Sequence, residues 1–599
     1  MNNMKRLSKI MAMMLVLAIA FSCSEDFLDK QPLGSTSENV FYTDKGVNAL
    51  LIGTYGMVSG SALWTVSWGA SIQNWTYGSA ASDDAYKGSE IGDQIPVNEI
   101  ERWEVPTTNN YPAEKWRLNI GMGVNRANIV LNVIDKTENL ANADRYRAEA
   151  RFLRALFNFE AWLVFGDRIP IITQENMATA LEVSNVNPAG AVLAHIIQDL
   201  TFAINNLPET QAQVGRPTKY AAMALAARAY LQELKYAEAK PLLDGIINSG
   251  KYSLMPNFFD NYRIVHNNNR ESIFEIQSAV NDINESLNGE MGIGLNWPHG
   301  SDIGMCCGFH QPSQNLVNAF KVDANGLPLF DTFNNTDFKH DQGIASDATF
   351  VPSEEPVDPR LDWTVGRRGI PYLDWGIMRG RDWIRDQSNG GPYMPVLKPF
   401  FYKSQRYTLS TTTGWQTGIN ANNYRYLRYG HILLWRAEVA AFENDLGRAR
   451  ELVNMIRERA GNEVVMGKVL IHQLPPAVYP WGPDGSVDWT QPAANYNIGL
   501  YPAFANQSQA MRAVQWEIRL EFATEGMRFF DLRRWDKLPA GMRVDMAATL
   551  NSFAQADLRI RTFMGSPNLA TFTERDKYQP IPQNQINLQP GVIEQNPGY

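Results

Sequence analysis

Cysteine is scarce in this sequence, with three residues among 599. Cys23 stands alone and Cys306 adjoins Cys307, so the chain has neither a disulfide framework nor the Cys/His spacing of a zinc site. Neighbouring Cα atoms lie about 3.8 Å apart across a trans peptide, which is below the usual disulfide range. A vicinal Cys306–Cys307 disulfide could still form outside the cytosol, and the alternative is two free thiols.

Positive charge is also in short supply, with 54 Lys and Arg against 63 Asp and Glu and a net charge of −9. This balance argues against non-specific nucleic-acid binding, which requires a positive surface to displace counterions. Beyond the N-terminal segment, no apolar run approaches the roughly 18 residues that indicate a membrane-spanning helix. The 44% hydrophobic and 20% charged residues are typical of an ordinary globular chain.

The N-terminal segment has the pattern of a bacterial lipoprotein signal peptide over residues 1–22. Three basic residues precede an apolar run, 10–21, which is about the length of a signal-peptide core and too short to span a membrane. Small residues, Ala20 and Ser22, stand just before Cys23. We therefore predict cleavage before Cys23 and its lipidation, which would tether the chain to a membrane. The alternative is an ordinary secretory signal with an incidental cysteine.

Motifs of catalysis are missing as well. The sequence contains no His-Glu metal-binding helix, nucleophile elbow or glycine-rich phosphate loop. Counting carboxylates cannot exclude glycoside hydrolysis, which needs only two of them. The segment EGMRFFDLRRW (525–535) gathers several charges on what we predict to be one helix, and we interpret it as an internal ion-pair network. The sequence favours binding over catalysis.

What the sequence does contain is helical periodicity in several long segments, at 112–135, 142–165, 188–207, 216–233, 235–249, 427–443 and 446–460. Segments 216–233 and 235–249 form a predicted helical hairpin whose small residues, such as Ala224 and Ala227, would let two backbones approach closely. This combination of small and aromatic residues is typical of tetratricopeptide repeats. A second predicted hairpin, 427–460, lies nearly two hundred residues away, so the array is interrupted.

The interrupting segment differs in composition from the helices. It is rich in Gly, Pro, Asn, Asp and Trp and contains many turn signals. Loops held by a rigid scaffold are common binding sites. We therefore predict one domain over 23–599, with a helical scaffold at about 40–250 and 425–535, a ligand-binding, loop-rich insertion at about 252–425, and a C-terminal wrap at 540–599.

Several segments together resemble one known family, the SusD/RagB surface lipoproteins of Bacteroidetes-type glycan uptake systems. The resemblance covers nearly the whole chain after Cys23. No single motif decides it, but the motifs occur in the family's order behind the lipoprotein signal. They are RAEARFLRALFNFEAWLVFGDRIPI (147–171), GRPTKYAAMALAARAYL (215–231), DPRLDWTVG (358–366), LRYGHILLWRAEVAAFENDLGRARELVNMIRERAG (427–461), VQWEIRLEFATEGMRFFDLRRW (514–535) and QNPGY (595–599).

The resemblance implies a mainly α, tetratricopeptide-like helical-repeat scaffold of about four helix pairs with large irregular loop-rich insertions. It implies a non-enzymatic lipoprotein, anchored at the extracellular face of the outer membrane, that captures an oligosaccharide or polysaccharide. It also implies a SusC-like TonB-dependent transporter as partner. The alternatives are RagB-like capture of peptides or glycoproteins, a surface glycosidase, and a scaffold that binds only protein.

Aromatic residues in loops supply the candidate binding site, because Trp and Tyr offer flat faces on which sugar rings stack. They concentrate in three segments, 63–78, 292–310 and 372–393, and the first two lie where the resembled family displays ligand-facing loops. Each ring has the alternative of packing in the core. The candidate glycan-binding residues are Trp64, Trp68, Trp75, Trp297, Trp375 and Trp383.

A bound calcium ion is the remaining question about cofactors. The segment ASDDAYKGSEIGDQ (81–94) concentrates oxygen ligands, and Asp83 and Asp84 are its candidate calcium ligands. The spacing is not that of an EF-hand loop, and the alternative is a solvated turn. Structural calcium occurs in some members of the resembled family, so we expect either no cofactor or this one ion.

Overall fold

The computed structural model describes residues 38–60, 68–282, 288–299, 306–395, 398, 400–411, 418–473 and 485–599. The signal segment 1–22 and Cys23 lie outside these ranges, so signal cleavage and lipidation remain predictions. Across the described ranges, we find no helix that combines the length and the apolarity needed to cross a bilayer.

The described part of the chain is mainly α-helical, as predicted. Its α-helices are α1 Asp44–Tyr55, α2 Ile95–Glu101, α3 Asn110–Trp116, α4 Asn125–Lys136, α5 Ala143–Phe165, α6 Ala191–Asn206, α7 Lys219–Gln232, α8 Tyr236–Asn248, α9 Gln314–Ala319, α10 Arg360–Thr364, α11 Gln387–Gly390, α12 Tyr429–Phe442, α13 Leu446–Ala460, α14 Gln507–Glu521, α15 Arg528–Trp535, α16 Met546–Asp557 and α17 Gln583–Leu588. Two π-helical turns, Trp75–Ala80 and Arg117–Val124, add to them.

The strands form three small antiparallel pairs that join distant parts of the chain. They are β1 Ala85–Gly88 with β3 Phe309–Pro312, β2 Ser272–Ile276 with β4 Tyr424–Arg428, and β5 Met466–Val469 with β6 Val487–Pro492. Because β4 leads directly into α12, the β2–β4 pair closes the base of the insertion. The β1–β3 pair attaches the insertion to the N-terminal part of the helical body.

The first predicted hairpin is present as α7 and α8, whose close packing follows from small side chains. The Thr218 hydroxyl caps α7 by accepting a hydrogen bond from the backbone N–H of Ala221 at 3.3 Å. The alanines of α7 are at most 2% exposed, and at these positions a small side chain lets neighbouring helices approach. The tetratricopeptide-like packing inferred from this segment is confirmed.

The second hairpin, α12 and α13, continues the same array despite the intervening insertion. Helix α12 packs against α8 as well as against α13 and α14. Across this junction the Tyr236 hydroxyl donates a 2.7 Å hydrogen bond to Glu438, which also pairs with Arg534 of α15. The array is therefore interrupted in sequence but continuous in space.

The predicted helix over 525–535 begins later than expected, at Arg528. Gly526 has a φ of +74°, a left-handed conformation that a continuous helix cannot contain, and Glu525 lies before α15. The predicted ion-pair network is nevertheless present. The Glu525 carboxylate lies 3.1 Å from Arg428 and 2.9 Å from Lys398, and Asp531 pairs with Arg534 at 2.8 Å.

The C-terminal segment departs from a purely extended wrap. It contains α16, which buries Leu550 and Phe553 against the body. The residues that follow run back to the end of α5. There the backbone N–H of Gln579 donates to the Val164 carbonyl at 2.9 Å, and the Asn596 amide donates to the Phe165 carbonyl at 3.1 Å.

Candidate ligand-binding surface

The first two aromatic segments meet where the insertion joins the helical body. The indole N–H of Trp75 donates to the carbonyl of Gly292 at 3.2 Å, and its ring meets that of Phe309 edge-on at 6.1 Å. The segment that carries Trp75 is fixed from behind by Asn74, whose amide donates to Glu160 at 2.7 Å. The surface predicted from these two segments therefore has a rigid base.

Four of the six candidate tryptophans are buried, which corrects their expected role as stacking platforms. Trp75, Trp297, Trp375 and Trp383 are at most 2% exposed. Trp297 packs against Phe400 and Phe401, and the Trp375 N–H donates to the Phe401 carbonyl at 2.9 Å. Trp383 meets Tyr372 edge-on at 6.2 Å.

The reason for this burial is that the insertion has few helices of its own. It needs a hydrophobic core between its loops, and a buried aromatic side chain covers about 150–250 Å² of surface. The aromatic density seen in the sequence is thus largely the core of the insertion. In this conformation these four rings offer no face to a ligand.

Trp68 is the candidate ring that remains partly exposed. It opens a short 3₁₀ turn, Trp68–Ala70, and is half-buried at the edge of the core. A Cβ atom on Gly294 would lie 3.7 Å from its indole nitrogen, so the second aromatic segment passes beside it. Tyr407 adds a ring on the insertion that is 74% exposed. Trp64 lies outside the described residues and stays a prediction.

A polar recess lies beneath the junction of the insertion and the body, and its wall includes Ile293, next in sequence to the Gly294 that passes beside Trp68. Its volume of about 40 Å³ has room for roughly three waters, which suits one polar substituent and not a whole sugar ring. Gln73 comes from the first aromatic segment, while Glu290, Ile293 and His310 belong to the chain around the second. The wall is completed by Tyr262, Lys398, Asn422, Asn423, Tyr424, Arg425, Thr524 and Glu525.

Burial disfavours the charged forms of Glu290 and His310 in this recess. It raises the pKa of the Glu290 carboxyl to about 7 and lowers the pKa of the His310 imidazole to about 3. Burial would also raise the pKa of Glu525, but Arg428 and Lys398 outweigh it and hold that pKa at about 2. Near pH 7 the recess therefore presents a neutral imidazole, amides and a half-ionised carboxyl, which suit hydroxyl groups, beside the ion-paired Glu525 and Lys398.

The two asparagines of the recess are held in fixed orientations. The Asn423 amide donates to Glu275 at 3.0 Å and to Gln277 at 2.9 Å. The Asn422 amide donates to the Tyr262 carbonyl at 2.8 Å. These recess residues were missed by aromatic-based reasoning, although the run NANNYRY (420–426) just before β4 is a visible polar signal.

Cys306 and Cys307 are joined as the vicinal disulfide that the sequence allowed. The pair adjoins the second aromatic segment through the backbone. The N–H of Gly308 donates to the Trp297 carbonyl at 2.9 Å, and Cys307 itself is buried. The disulfide therefore lies directly over the buried aromatic core of the insertion.

Both candidate calcium ligands form ion pairs with arginines, which contradicts a calcium role for them. Arg528 lies 2.8 Å from one Asp83 oxygen, and Arg519 lies 3.1 Å from the other and 3.0 Å from Asp84. Burial favours protonation of Asp83, but these two guanidinium groups lower its pKa to about 2. Nowhere in the described ranges do three His, Cys, Asp or Glu residues come together as a metal site.

Comparison with known families matches more than half of the chain to one model. Residues 270–599 match the model described as "SusD family". This chain belongs to the SusD family. A second model, described as "Starch-binding associating with outer membrane", matches residues 26–231. Together the two matches span both the helical scaffold and the insertion.

Individual relatives of this SusD-family chain are distant in sequence. A SusD-like protein of Bacteroides ovatus is 26% identical over 290 residues, which is 45% of this chain and half of that protein's length. SusD-like protein P2 of Formosa agariphila is 23% identical, and the match covers 99% of each chain.

The fold agrees with that of solved structures. Surface glycan-binding protein A from Bacteroides thetaiotaomicron, solved in complex with laminarihexaose, has a TM-score of 0.62 and 18% identity. The match covers 92% of this chain and 99% of that one. At this identity the similarity establishes the shared fold and leaves the ligand to be argued from the site.

Proposed function

We propose that this SusD-family protein binds an oligosaccharide or polysaccharide on the insertion surface, without catalysis. The observation that carries the proposal is a half-buried Trp68 on the same segment that supplies Gln73 to a rigid polar recess. A flat ring provides stacking for a sugar face, and fixed amides provide hydrogen bonds to hydroxyl groups. The size of the recess suggests that a sugar lies over Trp68 and directs one substituent towards Gln73 and Glu290.

The names of similar proteins support carbohydrate as the ligand class. One structural neighbour holds laminarihexaose, and another is named a laminarin-binding SusD-like protein. The N-terminal family description names starch binding and the outer membrane. Capture of peptides by the same surface remains the second candidate, which the experiment below separates from carbohydrate binding.

Delivery and anchoring form the rest of the proposal. A lipid on Cys23 would hold the protein at the extracellular face of the outer membrane. From there it would pass the captured glycan to a SusC-like TonB-dependent transporter. The outer-membrane description of the matched family supports this location.

The carboxylates of the recess favour binding over hydrolysis. A glycosidase needs one carboxylic acid and one free carboxylate on either side of the scissile bond. Of the two glutamates here, Glu525 is held by Arg428 at 3.1 Å and Lys398 at 2.9 Å, so it is committed to ion pairs. Glu290 alone cannot perform the two roles.

The test is calorimetry of the chain from Ser24 onward against a glycan panel that includes laminarihexaose. We expect Trp68→Ala to weaken binding of the recognised glycan roughly ten-fold, the loss expected for one stacked ring, with little change in Tm. Trp489→Ala, which removes a 49% exposed ring from β6, is the matched control and should leave affinity unchanged. Binding to peptides and to no glycan would overturn the proposal, and so would release of reducing ends.

A further inference from the structure

A second, larger cleft is lined by the Asp83 ion pairs with Arg519 and Arg528. It has a volume of about 790 Å³, within the range of about 300–1,000 Å³ usual for ligand clefts. Helices α14, α15 and α16 form its walls together with the loop at 331–335. None of the residues considered above as glycan ligands contributes to it.

The wall of this cleft is rich in arginine although the whole chain carries −9. Its charged lining residues are Arg512, Arg519, Arg528 and Arg543 with Asp83 and Asp331, and the charge is balanced by Asp84 and Asp536, which pair with Arg519 and Arg543. An arginine fork binds carboxylate, sulfate or phosphate with two parallel hydrogen bonds. The four guanidinium groups therefore supply the donors that an anionic ligand requires.

Two of the four arginines are held by buried carboxylates, and the other two are partly exposed and can contact a ligand. Arg519 and Arg528 are anchored by Asp83 and Asp84, so they supply charge from the floor of the cleft. Arg512 is 45% exposed and pairs with Asp331, which is 79% exposed. Arg543 is 46% exposed and pairs with Asp536 at 2.7 Å.

Such exposed pairs are worth only about 0–1 kcal/mol, so a ligand anion can replace the aspartate partner. For Arg543 the replacement leaves Asp536 paired, because Lys577 also lies 2.7 Å from it. The rim arginines can thus reorganise around a ligand without leaving a buried charge.

The cleft also contains a rigid ring with amides beside it. Trp516 is half-buried, and its indole N–H donates to the Ala319 carbonyl at 3.2 Å. Its ring meets Phe330 and Phe333 edge-on at 5.3 and 5.0 Å, so it cannot turn freely. Amide groups suited to hydroxyls line the same cleft, namely those of Asn315, Asn334, Asn335 and Gln515.

We propose that this cleft binds an anionic oligosaccharide, one carrying uronate carboxylates or sulfate esters, at a site separate from the insertion surface. The arginines pair with the anionic groups, the amides bind hydroxyls, and the Trp516 ring supports a sugar face. The proposal stands whether or not the insertion surface binds a glycan. The two surfaces use no residue in common, so both can be occupied at once.

The test measures binding of three probes to the chain from Ser24 onward by calorimetry. The probes are an oligogalacturonide, a sulfated galactan oligosaccharide and neutral laminarihexaose. We expect at least one anionic probe to bind, and the variant Arg512→Gln/Arg543→Gln to weaken that binding about ten-fold or more. Raising the salt concentration should weaken it as well, because exposed charges are screened.

The matched control is Arg448→Gln, which removes an arginine paired with exposed Glu451 on α13. It should leave binding of the anionic probe unchanged. Preference for uronate or for sulfate identifies the anion. The proposal is overturned if neither anionic probe binds, if the double variant binds them as the wild type does, or if an acidic peptide binds equally well. Trp68→Ala separates the two sites, since it should leave anionic binding intact.

Discussion

Glu290 is the side chain of the recess whose charge should change within the physiological pH range. Burial raises its folded-state pKa from 4.5 to about 7, so between these values the folded chain holds a proton that the unfolded chain has lost. The stabilisation that the raised pKa of Glu290 gives to the fold is fully present below pH 4.5. It is lost as the pH rises through 7. Each pKa unit corresponds to about 1.4 kcal/mol, so the total loss is about 3–4 kcal/mol, a small part of which has already occurred at pH 4.5.

The variant Glu290→Gln removes this titration and keeps an acceptor for the N–H of Gly292. We expect the free energy of unfolding of the wild type, relative to this variant, to fall by about 2–3 kcal/mol between pH 4.5 and pH 8. Urea denaturation at both pH values measures it, with the exposed Glu451→Gln as control. An equal difference at the two pH values would show that Glu290 does not titrate in this range.

Trp68 and Trp75 show what sequence can and cannot predict for single residues. They lie seven positions apart in one uncharged stretch, and composition treats them alike. Their different exposures depend on Gly292 and Phe309, more than two hundred residues further along the chain. The sequence located the segments that meet at the candidate surface, but it could not decide which rings face outward.

Whole elements are held together at the buried Glu521, the last residue of α14. Its carboxylate accepts from Arg428 at 2.8 Å and from Arg360 at 3.2 Å, and it also pairs with Arg459. Arg360 belongs to α10 and Arg459 to α13, while Arg428 ends β4 just before α12. Burial would raise the Glu521 pKa, but the three guanidinium groups hold it well below its usual range.

We expect Glu521→Gln to lower the free energy of unfolding by about 3–5 kcal/mol near pH 7, because it leaves buried arginines without their counter-charge. A depressed carboxyl pKa stabilises the fold above pH 4.5, and that contribution is lost as the pH falls through the folded-state pKa. The difference between wild type and variant should therefore shrink towards strongly acidic pH. Denaturant titrations at several pH values check this, and a loss below 1 kcal/mol would contradict it.

Helix boundaries were predictable where local periodicity decides them. The helix predicted over 446–460 is observed over those residues, and the helix predicted over 216–233 is observed as Lys219–Gln232. The break before α15 was not predictable, because it depends on a non-local contact. Gly526 packs against the backbone of Gln73, where a Cβ atom would collide. No pattern within 514–535 shows that neighbour.

At the scale of the whole molecule, the two family matches, 26–231 and 270–599, describe halves that are interleaved in space. The Asp83 carboxylate pairs with Arg519 and Arg528 of the second half. The C-terminal segment returns to the end of α5. Neither half can bury its polar groups without the other.

We therefore predict that residues 38–250 and 251–599, expressed separately, will not unfold cooperatively, although each contains complete helical hairpins. Alone, the first half would leave Asp83 and Asp84 without arginines and expose Trp75, and unpaired buried carboxylates cost several kcal/mol. Thermal melts followed by circular dichroism test this. The control is the full chain cleaved at a protease site inserted after Gly250, whose two pieces should stay associated and melt together. A cooperative transition of the isolated 38–250 fragment near the Tm of the full chain would show instead that the helical scaffold folds independently of the insertion that carries the proposed ligand surface.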